Sequence, residues 1–419
     1  MNSSSGRRLA AVAATASLAL LTAACGGGGF DKGAGSSAAP TTEKGPVALK
    51  MLIASSGDAE TKAVKAATAA WATKSGNTVD VQVAQDIKQQ LGQAFAGGTP
   101  PDIFYTDAAR FPDYAKAGAL YAYGDQVTQP DDFYPALKTT FTYDNKFYCA
   151  PKDFSTIALE INNKAWKAAG LTDGDIPTTW DQLHAVAKKL TTGKQTGLAL
   201  GDTRDRIDAF LVQAGGGITS KDGNTITASA PENVQALDFV KSMLADGSAK
   251  YPKQLDSGWA GEAFGKGKAA MTMEGNWIKG SQKNDYPGVD YQVAELPQGP
   301  KGKGTLLFTQ CWGIAAKSTH QAASVDLVDS LTSVDQQLAA ADAFGVMPSR
   351  LSAKAQYEQK FPEDKAFIAG GDYGVGPVNK PGFDSVLADF DTGLQGLANG
   401  DPKAILASLQ KNADAALKQ

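Results

Sequence analysis

The chain has 419 residues and a nearly balanced charge, with 40 Lys and Arg against 44 Asp and Glu and a formal net charge of −4. The lack of a basic block argues against a nucleic-acid partner, and beyond the N-terminal segment no apolar run reaches the length of about 18 residues that marks a membrane span. The length exceeds what one hydrophobic core usually covers, so two domains or lobes are expected.

Residues 1–24 have the pattern of a signal peptide. Arg7 and Arg8 precede an uncharged run, 9–24, which is too short to span a bilayer comfortably as a helix. The run closes with Leu-Thr-Ala-Ala before Cys25, which resembles a bacterial lipobox, where the cysteine is acylated and becomes the new N-terminus. The alternative is a plain secretory signal followed by an incidental cysteine. Residues 25–46 are rich in Gly, Ser and Ala, a composition typical of a flexible tether.

Strands and helices alternate from residue 50 onward. The pattern predicts strands at 50–54, 78–83 and 102–105, with helices at 60–75 and 87–95 between them. Such alternation indicates βαβ units and a mainly parallel sheet, which binds ligands at the carboxyl ends of its strands. The loops that carry Asp58 and Asp107 are therefore the first candidates for a binding site.

The rest of the chain continues the α/β pattern. Strands are predicted at 157–161, 198–200, 269–273 and 306–315. Helices are predicted from a cap at Thr179 or Asp181 to 190, and at 205–214, 231–245, 322–343 with an interruption near 332–333, 384–396 and 403–417.

Motifs for catalysis or metal binding are absent from the sequence. It contains no G-x-S-x-G, H-E-x-x-H, P-loop or C-x-x-C pattern, and His184 and His320 do not cluster with cysteines. The run of three glycines at 215–217 follows a helix and is interpreted as a stop signal. The sequence therefore predicts no enzyme, no cofactor and no metal site.

Several segments match known motifs in a fixed order. Residues 93–103 resemble the pattern F-x-x-G-x-x-P-D-I, and residues 146–164 resemble Y-G-V-P-K-D-x-S-T … Y-N-K. Further matches are Lys116–Leu120 (x-x-G-x-L), Ile176–Asp181 (P-x-T-W-D-E) and Phe264–Met271 with Gly275–Trp277 (F-x-x-G-K-A-A-M … G-x-W). Together these segments resemble the family 1 extracellular solute-binding proteins of ABC importers, the family of maltose-binding protein.

The resemblance implies an α/β, two-lobed, periplasmic-binding-protein-like fold with hinge strands and an inter-lobe cleft. Residues 47–150 and 312–348 would form lobe one, and residues 151–311 and 349–419 lobe two. The implied function is that of a monomeric, lipid-anchored substrate-binding protein on the outer face of the cytoplasmic membrane. It would bind a mono- or oligosaccharide and deliver it to the permease subunits of an ABC importer.

The resemblance also nominates ligand-binding residues. Trp277, the tryptophan of G-x-W, is expected to face the cleft and stack on a sugar ring. The other candidates are the stacking residues Trp259 and Trp312 and the polar residues Asp58, Asp107, Lys152, Asp153, Glu274 and Arg350. Alternatives remain open at this stage: core packing for the tryptophans, helix capping for Asp107, and salt bridges for Lys152, Glu274 and Arg350.

Cys149 and Cys311 stand where the family often has a small residue, and both lie in expected hinge strands. Because those strands run side by side in the family, a disulfide between the two is expected. Two separate buried thiols are the alternative.

Other functions would need pairs of carboxylates or clusters of cations at the cleft, and the sequence offers few candidates for either. A glycosidase-like enzyme would need two opposed carboxylates, for which Asp107 and Asp153 are the candidates. A glycerol phosphodiester would need several cations at the cleft, and only Lys152 and Arg350 can be nominated. A polyamine is a further alternative within the family.

Overall fold

The computed structural model describes residues 45–220 and 223–418. The expected signal peptide, Cys25 and residues 25–44 of the expected tether lie outside the described residues. Within the described ranges, no helix is long and apolar enough to cross a membrane.

The first part of the described chain alternates strands and helices as predicted. Its elements are β1 (Ala48–Ile53), α1 (Asp58–Ser75), β2 (Thr78–Val83), α2 (Ile87–Ala96), β3 (Ile103–Asp107), α3 (Phe111–Lys116), α4 (Pro135–Thr140), β4 (Thr142–Tyr143), β5 (Lys146–Phe147) and β6 (Pro151–Asn162). Strand β1 pairs in parallel with both β2 and β3, which is the arrangement that right-handed βαβ crossovers produce.

The second part adds short elements to the predicted ones. It contains α5 (Asn163–Ala168), α6 (Trp180–Leu190), β7 (Thr196–Ala199), α7 (Arg204–Gln213), α8 (Pro231–Ala245), β8 (Ala249–Lys250), α9 (Ala260–Gly265), β9 (Ala269–Gly275), α10 (Ile278–Asp285), β10 (Tyr291–Ala294), β11 (Thr305–Ile314), α11 (Gln321–Leu331), α12 (Val334–Phe344), α13 (Lys354–Lys360), α14 (Lys365–Gly370), β12 (Gly374–Val375), α15 (Asp384–Gln395) and α16 (Pro402–Ala416).

Local signals explain where several of these elements begin and end. Of the two candidate caps for α6, Thr179 is the one whose side chain accepts a hydrogen bond, from the Gln182 N–H. The glycine run after α7 ends the helix as expected. A Cβ atom on Gly216 would lie 2.1 Å from Oδ1 of Asn233, so only glycine fits against the start of α8.

One continuous sheet passes through the whole described molecule, in the strand order β2-β1-β3-β11-β6-β9-β7-β8. Strand β11 is antiparallel to both of its neighbours, β3 and β6. Strand β6 is shared: residues 151–156 pair with β11, whereas residues 157–161 pair with β9. Strands β6 and β11 are therefore the segments that carry the chain from one half of the sheet to the other.

Two hydrophobic cores flank this crossing. The core of lobe one consists of buried residues within 49–150 and 311–331, and the core of lobe two consists of buried residues within 157–296 and 383–413. A third, smaller cluster was not expected from the sequence: Phe154, Leu307 and Met347 pack there with residues of α13 and α14. Phe154 and Met347 also exchange two backbone hydrogen bonds of 3.0 and 3.1 Å, which attaches the returning chain to the crossing strands.

The expected disulfide is present between Cys149 and Cys311, whose Cα atoms lie 5.7 Å apart. It joins the residue ahead of β6 to β11 beside a register shift between Gln310 and Cys311. Next to it, the buried Tyr123 hydroxyl donates to the Trp312 carbonyl and accepts from the Ala150 N–H. The start of β6 and the last part of β11, which adjoin each other, are thus fixed covalently and by hydrogen bonds.

We predict that the Cys25→Ser variant of the full chain shows no reactive thiol when it is denatured without reductant, and two after reduction. Because the bridge closes a loop with a sequence separation of 162, the chain-entropy estimate for its loss is about 4–5 kcal/mol, an upper figure. Urea unfolding of a Cys149→Ala/Cys311→Ala double variant measures this loss. Two reactive thiols without reductant would contradict the pairing.

Candidate ligand-binding cleft

The two lobes contact each other through the segment that leads into α15. Nη2 of Arg110, at the start of α3 in lobe one, lies 3.0 Å from Oδ2 of Asp384 on lobe two. The Gly382 N–H donates to Oδ1 of Asp113 at 3.0 Å. These contacts join the two lobes away from the crossing, where strands β6 and β11 join them through the sheet.

A buried charged cluster lies on the crossing strand β6. Nζ of Lys152 pairs with Asp153 and lies 3.0 Å from Oε1 of Glu60, which is in the first turn of α1. The same Glu60 oxygen accepts from the Tyr105 hydroxyl at 2.9 Å, and Oε2 accepts from the Ser56 N–H at 2.7 Å. The cluster therefore joins β6 to the loop after β1 and to β3.

The charges in this cluster stabilise one another. Burial opposes ionisation of Glu60, but the Lys152 ammonium and the hydrogen bonds from Ser56 outweigh it and lower the pKa of Glu60. Burial would lower the pKa of Lys152, but the attraction of Asp153 and its other neighbours raises it. Lys152 is thus a charged residue held by protein carboxylates, which is the salt-bridge alternative considered for it.

A second group of polar and aromatic side chains lies on lobe two. Trp277 follows β9 and is 37% exposed. Its indole N–H donates to Oε2 of the buried Glu274 at 2.9 Å, and its ring meets the Phe308 ring edge-on at 5.2 Å. The Arg206 guanidinium lies 4.9 Å from the Trp277 ring centre and pairs with Glu274 at 2.5 Å. The Trp277 ring is therefore fixed in place while part of it faces solvent.

Two glycines make this arrangement possible. A Cβ atom on Gly275 would lie 2.2 Å from the Trp277 ring, so the glycine of G-x-W leaves the space that the indole occupies. A Cβ atom on Gly201 would lie 2.7 Å from Cγ of Arg206, so glycine is also needed where the arginine side chain passes.

The buried carboxyl group of Glu160 lies next to these lobe-two side chains. Glu160 on β6 is fully buried, and its Oε2 accepts from the Glu274 N–H at 3.0 Å. Its Oε1 has no hydrogen-bond partner within the described part of the chain. Burial, and next the neighbouring Glu274 charge, raise the pKa of Glu160 well above its usual range and so favour its protonated form.

Trp259 and Trp312 differ from Trp277 in their exposure to solvent and in the residues that surround them. Trp259 precedes α9, and its ring lies against Gly261, where a Cβ atom would be 2.1 Å away. Trp312 is 3% exposed and meets the Tyr105 ring edge-on at 5.1 Å. Its indole N–H has no acceptor among the described residues.

The remaining predicted polar residues are placed differently. Asp107, the last residue of β3, accepts from the Arg110 N–H at 2.9 Å and so closes the turn before α3. Asp58 is exposed at the start of α1. Arg350 is 4% exposed and donates to the carbonyls of Thr332 and Gln129. The Arg350 guanidinium is thus held by backbone carbonyl groups of lobe one.

Sequence analysis missed Arg206, Glu60, Tyr105 and Phe308, which complete the two groups. Arg206 lies in the first turn of α7, the helix that follows β7. The rule that ligands bind at the carboxyl ends of strands would therefore have pointed to it. Glu60 offered no such signal, because its partner Lys152 is distant in sequence. Among the described residues, no group of three or more His, Cys, Asp and Glu side chains is arranged to hold a metal ion.

The family model described as "Bacterial extracellular solute-binding protein" matches residues 54–338, more than half of the chain. Among curated proteins, the diacetylchitobiose binding protein DasA of Streptomyces coelicolor is 24% identical over 310 residues, which cover 71% of this chain and 72% of that protein.

Solved structures resemble the fold over most of its length. The cyclic alpha-maltosyl-1,6-maltose binding protein from Arthrobacter globiformis matches with a TM-score of 0.79 at 21% identity and covers 89% of this chain and 100% of its own. The ABC substrate-binding protein Lmo0181 from Listeria monocytogenes, in complex with cycloalternan, matches with a TM-score of 0.77 at 22% identity and the same coverage. These likenesses confirm the predicted two-lobed α/β fold.

The raised pKa of Glu160 leads to a pH-dependent prediction. Because its pKa is raised in the folded state, the folded chain holds this proton after the unfolded chain has lost it, so the group costs stability as pH rises above about 4.5. The Glu160→Gln variant lacks this cost. Its free energy of unfolding should therefore increase relative to that of the wild type as pH rises, by up to about 1.4 kcal/mol per pH unit while the folded group stays protonated.

Urea unfolding of both proteins between pH 4 and pH 8 measures this difference. Glu363→Gln, at an exposed carboxylate, is the matched control and should show no such trend. A difference between wild type and Glu160→Gln that does not change with pH would mean that Glu160 is ionised in the folded protein.

Proposed function

The chain belongs to the family of bacterial extracellular solute-binding proteins, and we propose that it captures a carbohydrate in its inter-lobe cleft for an ABC importer. The observation that carries the proposal is Trp277. Its ring is partly exposed, yet it is fixed by Glu274, Arg206 and Phe308. A rigid aromatic face with hydrogen-bonding groups beside it matches a sugar, which offers an apolar ring face surrounded by hydroxyls.

The charge balance of the cleft favours an uncharged ligand. Lys152 is paired with Glu60 and Asp153, and Arg206 is paired with Glu274. An anion or a cation would have to compete with these internal partners, whereas hydroxyl groups can add hydrogen bonds to them. This argues against a glycerol phosphodiester and against a polyamine.

A glycosidase-like activity has less support. Of its two candidate carboxylates, Asp107 closes a turn through the Arg110 N–H, and Asp153 is paired with Lys152. Burial raises the pKa of both carboxyl groups, but each is held by a partner within the chain, whereas this chemistry needs a free acid opposite a free carboxylate. The similar proteins are binding proteins by name, and the names of three of them refer to diacetylchitobiose, cyclic alpha-maltosyl-1,6-maltose and cycloalternan, which are oligosaccharides.

The remaining parts of the proposal concern location and delivery. Acylation of Cys25 would anchor the protein on the outer face of the cytoplasmic membrane, with residues 25–46 as a tether. Lobe one would comprise 47–150 and 312–348, and lobe two 151–311 and 349–419. A monomer that closes on its ligand by hinge rotation would then present the closed form to the permease.

We expect a thermal-shift screen of the full chain over mono- and oligosaccharides, phosphoesters and polyamines to give a stabilising shift with a saccharide only. For that saccharide, Trp277→Ala should weaken binding by about 1–3 kcal/mol, because one aromatic contact is lost. Calorimetry measures the affinity.

Leu417→Ala is the matched control for Trp277→Ala, since Leu417 is apolar, 40% exposed and directly after the last residue of α16. It should leave the affinity unchanged. Trp277→Phe keeps part of the aromatic face and should give an intermediate value. If Trp277→Ala binds the saccharide as tightly as the wild type, the tryptophan is not part of the site.

The anchor is tested by cell fractionation. We expect the wild-type chain in the membrane fraction and the Cys25→Ser variant in the soluble one, because only an acylated cysteine holds the chain at the bilayer. Ser37→Ala, in the same tether, should behave as the wild type. Membrane association that survives Cys25→Ser would refute the anchor.

A further inference from the structure

A chamber of about 300 Å³ lies between α1 and α12, above the crossing strands. Its walls are lined mainly by alanines: Ala63, Ala67 and Ala70 on one face of α1, and Ala340 and Ala343 on α12. Methyl groups are too short to fill the space between two helices, so the helices leave a gap here. The volume corresponds to about ten water-sized groups.

The floor of the chamber is polar and has hydrogen-bond donors to spare. Lys152, Asp153, Tyr105 and Trp312 line it. Lys152 has three N–H donors and gives one each to Glu60 and Asp153. The Trp312 N–H is buried and has no acceptor among the described residues. A carbonyl oxygen that reached the floor would supply the acceptor that these donors lack.

The charges at the floor exclude an anionic group. Glu60 and Asp153 contribute two carboxylates against the one ammonium of Lys152. A carboxylate or phosphate would therefore meet a net negative site, and a cation would have to give up its water shell between walls that are mainly alanine. An apolar chain with one neutral carbonyl fits both the walls and the floor.

The chamber lies beside the lobe-two loop that carries Trp277. Lys152 and Asp153 belong to the part of β6 that crosses from lobe one to lobe two. Phe344 lines the chamber at the end of α12, and the next residue, Gly345, accepts a hydrogen bond from Nδ2 of Asn276 at 2.7 Å. Asn276 directly precedes Trp277, so the chamber borders the loop that carries the proposed sugar-stacking residue.

We propose that this chamber binds a neutral acyl group, with the carbonyl at the Lys152–Trp312 floor and the alkyl part between the alanine faces of α1 and α12. The preferred ligand of the cleft is then an acylated saccharide, a statement that rests on the proposed carbohydrate function. The sugar ring lies on Trp277, and its acyl substituent enters the chamber.

The experiment compares three disaccharides with the same linkage: cellobiose, which has no acyl group, N,N′-diacetylchitobiose and N,N′-dibutyrylchitobiose. Calorimetry on the full chain should show each acylated sugar binding at least tenfold more tightly than cellobiose. Ala67→Phe, which fills the chamber, should abolish this gain and leave cellobiose unchanged. Ala69→Phe, at an exposed position on α1 that does not line the chamber, is the matched control.

A sugar-free probe tests the chamber separately. Hexanamide should bind saturably in a ligand-observed NMR titration, sodium hexanoate at least tenfold more weakly, and neither should bind Ala67→Phe. Ala340→Leu is a second, milder filling variant if Ala67→Phe does not fold.

The outcomes separate the two proposals. Equal affinity for acylated and plain sugars, or hexanamide binding that survives both filling variants, would overturn the acyl site and leave the carbohydrate function standing. Hexanamide binding that the filling variants remove, with no binding of any disaccharide in this set or in the wider screen, would support the acyl site and overturn the carbohydrate function.

Discussion

The antiparallel pairing of β6 with β11 is the interaction on which the rest of the structure depends. Each strand begins in one core and ends in the other, so the ladder between them holds the lobes in one continuous sheet. The Cys149–Cys311 bridge fixes this pairing at its lobe-one end. Sliding of one strand along the other would break both the bridge and the register, so any rotation of the lobes would have to bend residues 152–156 and their partners.

This constraint also explains why so many functional groups are on or next to the crossing strands. Asp153 on β6 and Phe308 on β11 are held by backbone pairing, and Lys152 is the β6 residue that the register shift leaves without a β11 partner. Their partners come from opposite sides: Glu60 from lobe one and Trp277 from lobe two. A change in the angle between the lobes therefore changes the distance between the two groups while each keeps its internal geometry.

Much of the fold was predictable from the sequence because its main elements are long and regular. Helix α8 and strand β2 have the predicted bounds, and the interruption predicted near 332–333 separates α11 from α12. Helices α5, α10, α13 and α14 were missed since six to eight residues are too few to show a helical period. The disulfide was predicted only through the family resemblance, which places the two cysteine-bearing strands side by side.

The candidate site was harder to predict because its chemistry depends on partners that are distant in sequence. The sequence allowed a salt bridge for Lys152 but did not point to Glu60 as the partner, and it gave no sign that the Thr332 and Gln129 carbonyls would accept from Arg350. The chamber lined by alanines has no sequence signature at all, since alanines on a helix face usually indicate close packing. Such features arise from how helices approach each other in three dimensions.

The strand order has a consequence for how the protein is made. Strand β3 pairs with β11, so one edge of the lobe-one sheet stays open until residues 305–314 have been synthesised. An unpaired strand edge invites association with other chains, and pairing partners so far apart in sequence slow folding. During synthesis from the N-terminus, lobe one therefore cannot be completed early. The growing chain stays compatible with export in an unfolded state. The associated risk is aggregation of the incomplete chain.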